Sequence, residues 1–313
     1  MKLIEIINGT LLGDGCIKFD NYRYSKYFCY KLTSKDKILT EWLKGLFQKF
    51  KIDNSWIVQD NKILDTFAFY FYINNCPYKN FITLHKRWYK KEKLNGKFRK
   101  IVPINLKLTP TTLLFWYLGD GSLIRRRNDD NRVPTIVLAT NSFSKNNVIL
   151  LIRKLKELNL NFYPVEYTSG FTGKKCGYCL YSNIEDGTPF RFFKLIGLYC
   201  PKEIANCSTG SKGIYHEEKF FKDKWPTEED WIKILSNIKE VGPILREKRL
   251  QLNLSQNQFA KIIGIRRENI RNVELCKRHF SVKSFRKILK ALNLDIMYLL
   301  ERLSKDLSLQ IGG

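Results

Sequence analysis

Apolar residues at helical spacing, closing on Gly-Asp-Gly, occur twice in this chain. The first run is Ile7-Asn8-Gly9-Thr10-Leu11-Leu12-Gly13-Asp14-Gly15 and the second is Leu113-Leu114-Phe115-Trp116-Tyr117-Leu118-Gly119-Asp120-Gly121. Behind each run, apolar and polar positions alternate as in half-buried strands. The first set covers Cys16 to Asp20 and Tyr27 to Thr33, the second Ser122 to Arg127 and Pro134 to Thr140. A serine-capped helix comes next in both, Lys35 to Phe50 after Ser34 and Lys145 to Leu158 after Ser144. Two more strands follow, Ser55–Gln59 and Leu64–Ile73, matched by Phe162–Tyr167 and Tyr178–Asn183. An aromatic-rich helix closes each set, Tyr78 to Tyr89 and Pro189 to Tyr199. The order predicts an α+β fold of two pseudo-symmetric αββαββα halves, residues 1–108 and 109–207, packed about a pseudo-twofold axis as a homodimer would be.

Past residue 207 the period is helical throughout. Residues 208–241 read as a linker and connecting helix, with a capping-box pattern in Thr227-Glu228-Glu229-Asp230. Gly242-Pro243 breaks that helix and starts a small all-α domain over residues 242–313. Within it, Ser255 opens a short helix, Gly264 makes a tight turn and Arg266 to Leu275 form a second helix. Ile270 and Val273 point inward, and the small Ala260 lets the two helices cross closely.

Charge changes the picture from fold to partner. Lys and Arg number 55 against 30 Asp and Glu, a formal charge of +25. A polyanion rewards such an excess through counterion release, so nucleic acid is the expected partner. The chain shows no membrane-length apolar run, and its start has neither the basic nor the apolar features of a signal peptide. It is expected to be cytoplasmic and nucleoid-associated, or in an organellar matrix, and not secreted. The eight cysteines sit mostly in apolar runs rather than in a disulfide framework. The CxxC of Cys176 and Cys179 lacks a second pair at zinc spacing, and three histidines are too few for a His-rich site.

The strands offer a surface for that partner. In Phe67 to Asn74, Phe67, Phe69, Phe71 and Ile73 share a face suited to a core, while Ala68, Tyr70, Tyr72 and Asn74 share the other. Lys18, Lys31, Arg125, Arg126, Arg127, Lys174 and Lys175 add positive charge on strands and loops. Together with Tyr70 and Tyr72 they are the expected contacts to phosphates and base edges.

The Gly-Asp-Gly ends carry candidate chemistry. Gly9 and Gly13, four apart, share a helical face that another helix can approach closely. The glycine after each acid is expected to end its helix through a positive φ. If the two helices pack side by side, Asp14 and Asp120 converge. Paired carboxylates without a counter-charge repel, so a divalent cation is expected, Mg²⁺ or Mn²⁺ beside phosphate.

These residues resemble the motifs of the single-chain, two-motif LAGLIDADG homing endonucleases, over residues 1 to 207. The resemblance implies a saddle of strands over a long DNA site, with Asp14 and Asp120 as catalytic metal ligands beside the Gly13 and Gly119 carbonyls. It also implies a basic residue near the scissile phosphate in each half. Lys100-Ile101-Val102-Pro103 resembles the family's Lys-x-x-Pro stretch and gives Lys100 that role. In the second half the register falls on Cys207, leaving Lys202 or Lys212 to substitute, or neither, in which case nicking would outpace double-strand cutting. The second motif departs from the first in having Phe115 where the first has Gly9.

The C-terminal pattern resembles a Cro/repressor-type helix-turn-helix. That likeness implies a second helix in the major groove, reading bases through Arg266, Arg267, Asn269 and Arg271, with Gln256 at the DNA backbone. The whole reads as a monomeric, metal-dependent DNA endonuclease with added helix-turn-helix contacts. The alternatives are a catalytically weakened DNA-binding regulator, or an RNA maturase acting on intron RNA.

Overall fold

The computed structural model describes residues 1–22, 25–34, 37–52, 55–61, 66–72, 81–92, 96–126, 131–168, 175–205 and 222–306. Contacts divide the chain into two compact units. One comprises Met1–Ser122, Val137–Tyr181 and Leu195–Trp225, and the other Leu123–Ile136, Ser182–Lys194 and Pro226–Gly313. This division differs from chain order. Residues 123–136 and 182–194, which the repeat assigns to the second half, group with the C-terminal helices.

The first unit opens with helix α1 (Leu3–Leu12), then β1 (Gly15–Tyr22), β2 (Ser25–Ser34), α2 (Lys37–Lys49), β3 (Ser55–Asn61) and β4 (Thr66–Tyr72). The four strands form an antiparallel sheet in the order β1-β2-β4-β3. Its core face is aromatic, because Tyr30 and Phe69 pack against Phe47 of α2 at 5.9 and 5.2 Å between ring centroids. All three rings are fully buried. Next come α3 (Phe81–Trp88) and two three-residue strands, β5 (Tyr89–Lys91) and β6 (Phe98–Lys100), paired to each other. The repeat did not foresee this hairpin. Three residues are too few to show an alternating period.

The second motif helix, α4 (Pro110–Asp120), starts at Thr109, whose side chain accepts from the Thr112 N–H at 3.2 Å, with Pro110 at the first helical position. The second four-stranded sheet has the order β7-β8-β10-β9, from β7 (Gly121–Ile124), β8 (Thr135–Ala139), β9 (Phe162–Thr168) and β10 (Lys175–Ser182). Between β8 and β9 lies α5 (Lys145–Lys156), and α6 (Thr188–Ile196) and the short α7 (Lys202–Ala205) follow the sheet.

Helices α1 and α4 pack face to face through their small residues. A Cβ on Gly9 would lie 2.5 Å from the Thr112 carbonyl oxygen and 2.7 Å from the Phe115 Cβ. The Gly9–Phe115 mismatch between the motifs is therefore a fit: the space left by one glycine is filled by the Thr112 backbone and the Phe115 Cβ. Its ring then stacks on Trp42 at 5.3 Å. In an ordinary helix interior, Gly→Ala stabilises by roughly 0.5–1 kcal/mol. Here the sign is expected to reverse. Gly9→Ala should cost ~2 kcal/mol or more in urea unfolding, because backbone rather than a flexible side chain must give way. A Gly9→Ala protein as stable as wild type would contradict this packing.

Gly15 and Gly121 are needed for a different reason from the one expected. Neither has a positive φ; Gly121 sits at φ −90°. The cause is steric, since a Cβ would lie 2.7 Å from the Thr10 carbonyl at Gly15 and 2.0 Å from the Tyr117 ring at Gly121. The chain leaves each motif helix by folding back against its last turn.

In the second unit, α8 (Glu228–Ser236) begins with the expected capping box, Thr227 with Asp230. Helices α9 (Val241–Gln251), α10 (Gln256–Ile263), α11 (Arg267–Glu274), α12 (Val282–Ala291) and α13 (Ile296–Asp306) follow. Ser255 caps α10, and Gly264 ends it in the left-handed region at φ 73°. Ile270 and Val273 are buried as expected, and Gly242 is pressed onto the Val273 carbonyl, where a Cβ would lie 2.0 Å away. Among the described residues, no helix is long and apolar enough to cross a membrane.

Candidate active site

The site is built at the C-terminal ends of α1 and α4, inside the first unit. Close packing of the glycines brings these ends together. A Cβ on Gly13 would be 3.5 Å from Gly119 Cα and 3.7 Å from the Asp120 carboxyl carbon, and one on Gly119 would be 3.8 Å from Asp14 Oδ2. Asp14 and Asp120 thus converge. Burial raises Asp14 above the usual carboxylate range, although its side chain keeps some exposure. Asp120 is pushed up to about 7, by burial first and by the charge of Asp14 second.

Two lysines flank the pair. Lys100, at the end of β6, donates to the Gly13 carbonyl at 3.1 Å and the Gly15 carbonyl at 2.8 Å. Its placement comes from the β5–β6 hairpin, in which Tyr89 pairs across from Lys100. The Tyr89 hydroxyl accepts from the Ile17 N–H at 2.8 Å, which ties this hairpin to the start of β1. His85 stacks on Tyr89 at 4.7 Å and supports it from below.

The second lysine is Lys224, which lies in a single 3-10 turn, Lys222–Lys224. Its Nζ donates to the carbonyls of Leu118 at 2.7 Å, Gly119 at 3.3 Å and Tyr117 at 3.4 Å. In return the Tyr117 hydroxyl donates to the Lys224 carbonyl, and Trp225 packs edge-on against the Tyr117 ring at 5.5 Å. Lys224 therefore caps the last carbonyls of α4, where the helix dipole favours a cation, and Lys100 holds the carbonyls just beyond the end of α1. Burial lowers both lysines, Lys224 to about 8, and the two carboxylates oppose that fall.

Lys224 went unnoticed in the sequence, where Lys202 or Lys212 stood in its place. The structure puts Lys202 exposed at the start of α7, outside the set of groups that interact with Asp14 and Asp120, so it does not occupy the expected position. Lys212 and Cys207 lie outside the described residues. A signal did exist: Lys224-Trp225-Pro226 echoes Lys100-Ile101-Val102-Pro103, but residues 206–221 displace it from the expected register.

The donor set suits a hard divalent cation. Two carboxyl groups converge where burial disfavours their ionisation, and an incoming cation would offset that cost. Among the described residues no cluster of three or more His, Cys, Asp or Glu side chains forms, so the remaining ligands would be water and phosphate oxygens. The Gly13 and Gly119 carbonyls, the other expected ligands, share their lone pairs with Lys100 and Lys224.

The expected DNA-contacting residues are placed as follows. Lys31, Tyr70 and Trp56 form one row across β2, β4 and β3, with the Lys31 ammonium 5.2 Å from the Tyr70 ring centroid and Trp56 stacked on Tyr70 at 5.5 Å. This row lies opposite the Tyr30–Phe69 core face, as the alternation required; Trp56 had not been picked out. Lys18 and Arg126 are exposed. Arg125 is instead engaged by Asp230, Nε to Oδ2 at 2.8 Å. Arg127 and Lys174, and the side chains of Tyr72 and Lys175, lie outside the described residues.

On α11 and its cap, Arg266, Arg267 and Arg271 are exposed and Asn269 is half-buried. Gln256 does not point outward as expected. Its amide donates to Glu274 at 2.8 Å, because that buried carboxylate already holds Arg249 in a two-pronged pair at 2.6 and 3.0 Å and has acceptor capacity left.

The chain is 29% identical over 158 residues to the uncharacterized protein MJ1098 of Methanocaldococcus jannaschii, an alignment covering 50% of this chain and 56% of that one. The chain thus spans little more than half the length of this curated relative. Among solved structures it is similar to the homing endonuclease I-WcaI bound to its DNA recognition sequence, at 20% identity and a TM-score of 0.48, covering 71% of this chain and 86% of that one. It is also similar to I-DmoI in complex with DNA and Mn, at 13% identity and a TM-score of 0.39, covering 62% and 97%. The helix-turn-helix family model matches residues 245–299. The model of the LAGLIDADG DNA endonuclease family matches residues 4–183, more than half of the chain, with both Gly-Asp-Gly ends inside the match. The chain belongs to the LAGLIDADG DNA endonuclease family.

Proposed function

We propose that this chain is a site-specific homing endonuclease that makes a metal-dependent double-strand break in a long DNA target, with the helix-turn-helix adding contacts. The observation that carries this reading is the convergence of Asp14 and Asp120 between half-buried Lys100, which holds the carbonyls just past α1, and buried Lys224, which caps α4. Asp14 and Asp120 would hold a divalent cation, Mg²⁺ or Mn²⁺, which when bound supplies an activated water and neutralises charge on the scissile phosphate.

The chain's own groups set the frame. Lys100 and Lys224 bring positive charge to the two sides of the carboxylate pair, and their carbonyl contacts fix each Nζ before DNA arrives. Burial lowers Lys224 to about 8, while Asp14 and Asp120 favour its charged form. Lys18, Arg126 and the Lys31–Tyr70–Trp56 row are the groove and phosphate contacts, and Arg266, Arg267, Asn269 and Arg271 those of the helix-turn-helix. The regulator reading rested on a missing second lysine, and the contacts of Lys224 with the end of α4 favour the nuclease reading over it.

The test is cleavage of a supercoiled plasmid carrying the joined sequences that flank this gene's insertion point. Full-length protein is expected to linearise it with Mg²⁺ or Mn²⁺ and to leave it intact in EDTA. Cutting that survives chelation, or none at the joined flanks, would refute the assignment.

A further inference from the structure

The second unit contains more than a helix-turn-helix. It holds residues 123–136 between the body of β7 and that of β8, the α6 segment Ser182–Lys194, and helices α8 to α13. Helix α8 links these parts. Its Asp230, only 4% exposed, accepts at Oδ2 from the Thr227 N–H and hydroxyl, both at 2.9 Å, and from Arg125 Nε at 2.8 Å. The preceding residue, Glu229, pairs with Arg286 of α12, and Arg286 also donates to Asn131 at 3.4 Å. The opposite side is apolar: Trp231 is 2% exposed and packs edge-on against Phe190 and Phe193 of α6, at 6.4 and 5.8 Å. Lys194 of α6 donates to the Leu303 carbonyl of α13 at 3.1 Å, and Asn237 donates to the Ile184 carbonyl.

A buried carboxylate satisfied by three donors accepts few other geometries, because losing the Arg125 donor leaves a desolvated charge with less compensation. Directional polar ties on one side and an aromatic cluster on the other hold a single arrangement. The position of α8 to α13 against Arg125 and Asn131 is therefore set by packing. A helix-turn-helix on a flexible tether would wander by roughly 5–6 Å times the square root of the tether length in residues, enough to accept several spacings on DNA.

We propose that the exposed Arg126 and Arg132 and the helix-turn-helix read one DNA duplex as a single body, so that the helix-turn-helix subsite lies at one fixed spacing and helical phase from the base pairs under these two arginines. Arg125 and Arg286 act as positioning residues that set this spacing. The proposal rests on the DNA-endonuclease reading above and adds a geometric constraint to it.

The experiment is selection of bound duplexes from a random-sequence library by full-length protein, with Ca²⁺ replacing Mg²⁺ so that sites survive. The expected product is a two-part motif at a single spacing. Inserting half a helical turn between the parts, about 5 bp, should weaken binding about tenfold or more. A full-turn insertion, about 10 bp, should not restore it, because a rigid body cannot stretch. The double variant R125Q/R286Q should accept a spread of spacings and regain binding to the half-turn duplex. Equal binding of all spacings by wild type, or a motif without the second part, overturns the proposal and leaves the endonuclease reading intact. Recovery of no motif overturns both. If R125Q/R286Q melts far below wild type, the wild-type spacing series still decides.

Discussion

Asp120→Asn, and equally Asp14→Asn, is expected to abolish strand cleavage, by roughly a thousandfold or more in rate. The amide keeps the shape of the carboxyl and loses the anionic oxygen that would bind a cation. A structural benefit should accompany this loss. In the metal-free protein Asp120 is pushed up to about 7, against an ordinary 3.8. The folded state then binds more protons than the unfolded chain between those two values. The contribution of Asp120 to stability is full below the lower value and is lost as pH rises through the higher one. Without metal, Asp120→Asn should therefore melt above wild type at pH 8, and the gap should close toward pH 5, where wild type carries the proton. Added Mg²⁺ should raise the wild-type melting temperature and leave the variant unmoved. A variant that cuts within tenfold of wild type would refute the role of Asp120; one that melts lower at pH 8 would refute the cost of ionising the pair.

Lys224→Met should lower cleavage by about a hundredfold, on the scale of one preorganised charge aimed at a reacting phosphate. Because each lysine belongs to one side of the carboxylate pair, nicked plasmid should accumulate before linear product. Methionine keeps the length of the chain but leaves the Leu118 carbonyl, now 2.7 Å from Nζ, without that donor. A stability loss of ~1–2 kcal/mol is expected alongside. Lys202→Met, on the exposed first turn of α7, should cut within about twofold of wild type, since surface substitutions away from such networks have small effects. The reverse result, a silent Lys224→Met and a damaging Lys202→Met, would return the role to the register read from the sequence.

The repeat was legible because its signals are local. Apolar residues at helical spacing, alternation behind them and serine caps all act within about one element's length, and α1, α4 and the paired strands formed where they called for them. The two carboxylates could be foreseen for the same reason: each ends its own apolar helix. Gly9 was correctly read as a point of close approach, whereas Gly15 and Gly121 were right residues for a wrong cause, since a backward fold onto the last turn and a left-handed cap both demand glycine. Arg125 shows the opposite failure. In a run of three arginines it looked like one more phosphate contact, and nothing near it in the chain announces Asp230, 105 residues on.

The sequence by itself determined the elements, the duplication, the pair of acids and the positive charge that calls for a polyanion. Only the tertiary structure decided which lysine faces the second motif, how Gly9 and Phe115 fit together, and that α8 ties residues 123–136 to the helix-turn-helix. The physical reason is range. Periodicity and capping are set by neighbours a few residues apart. Desolvation and charge pairing depend on which groups meet in space, and Lys224 meets the end of α4 from 106 residues away.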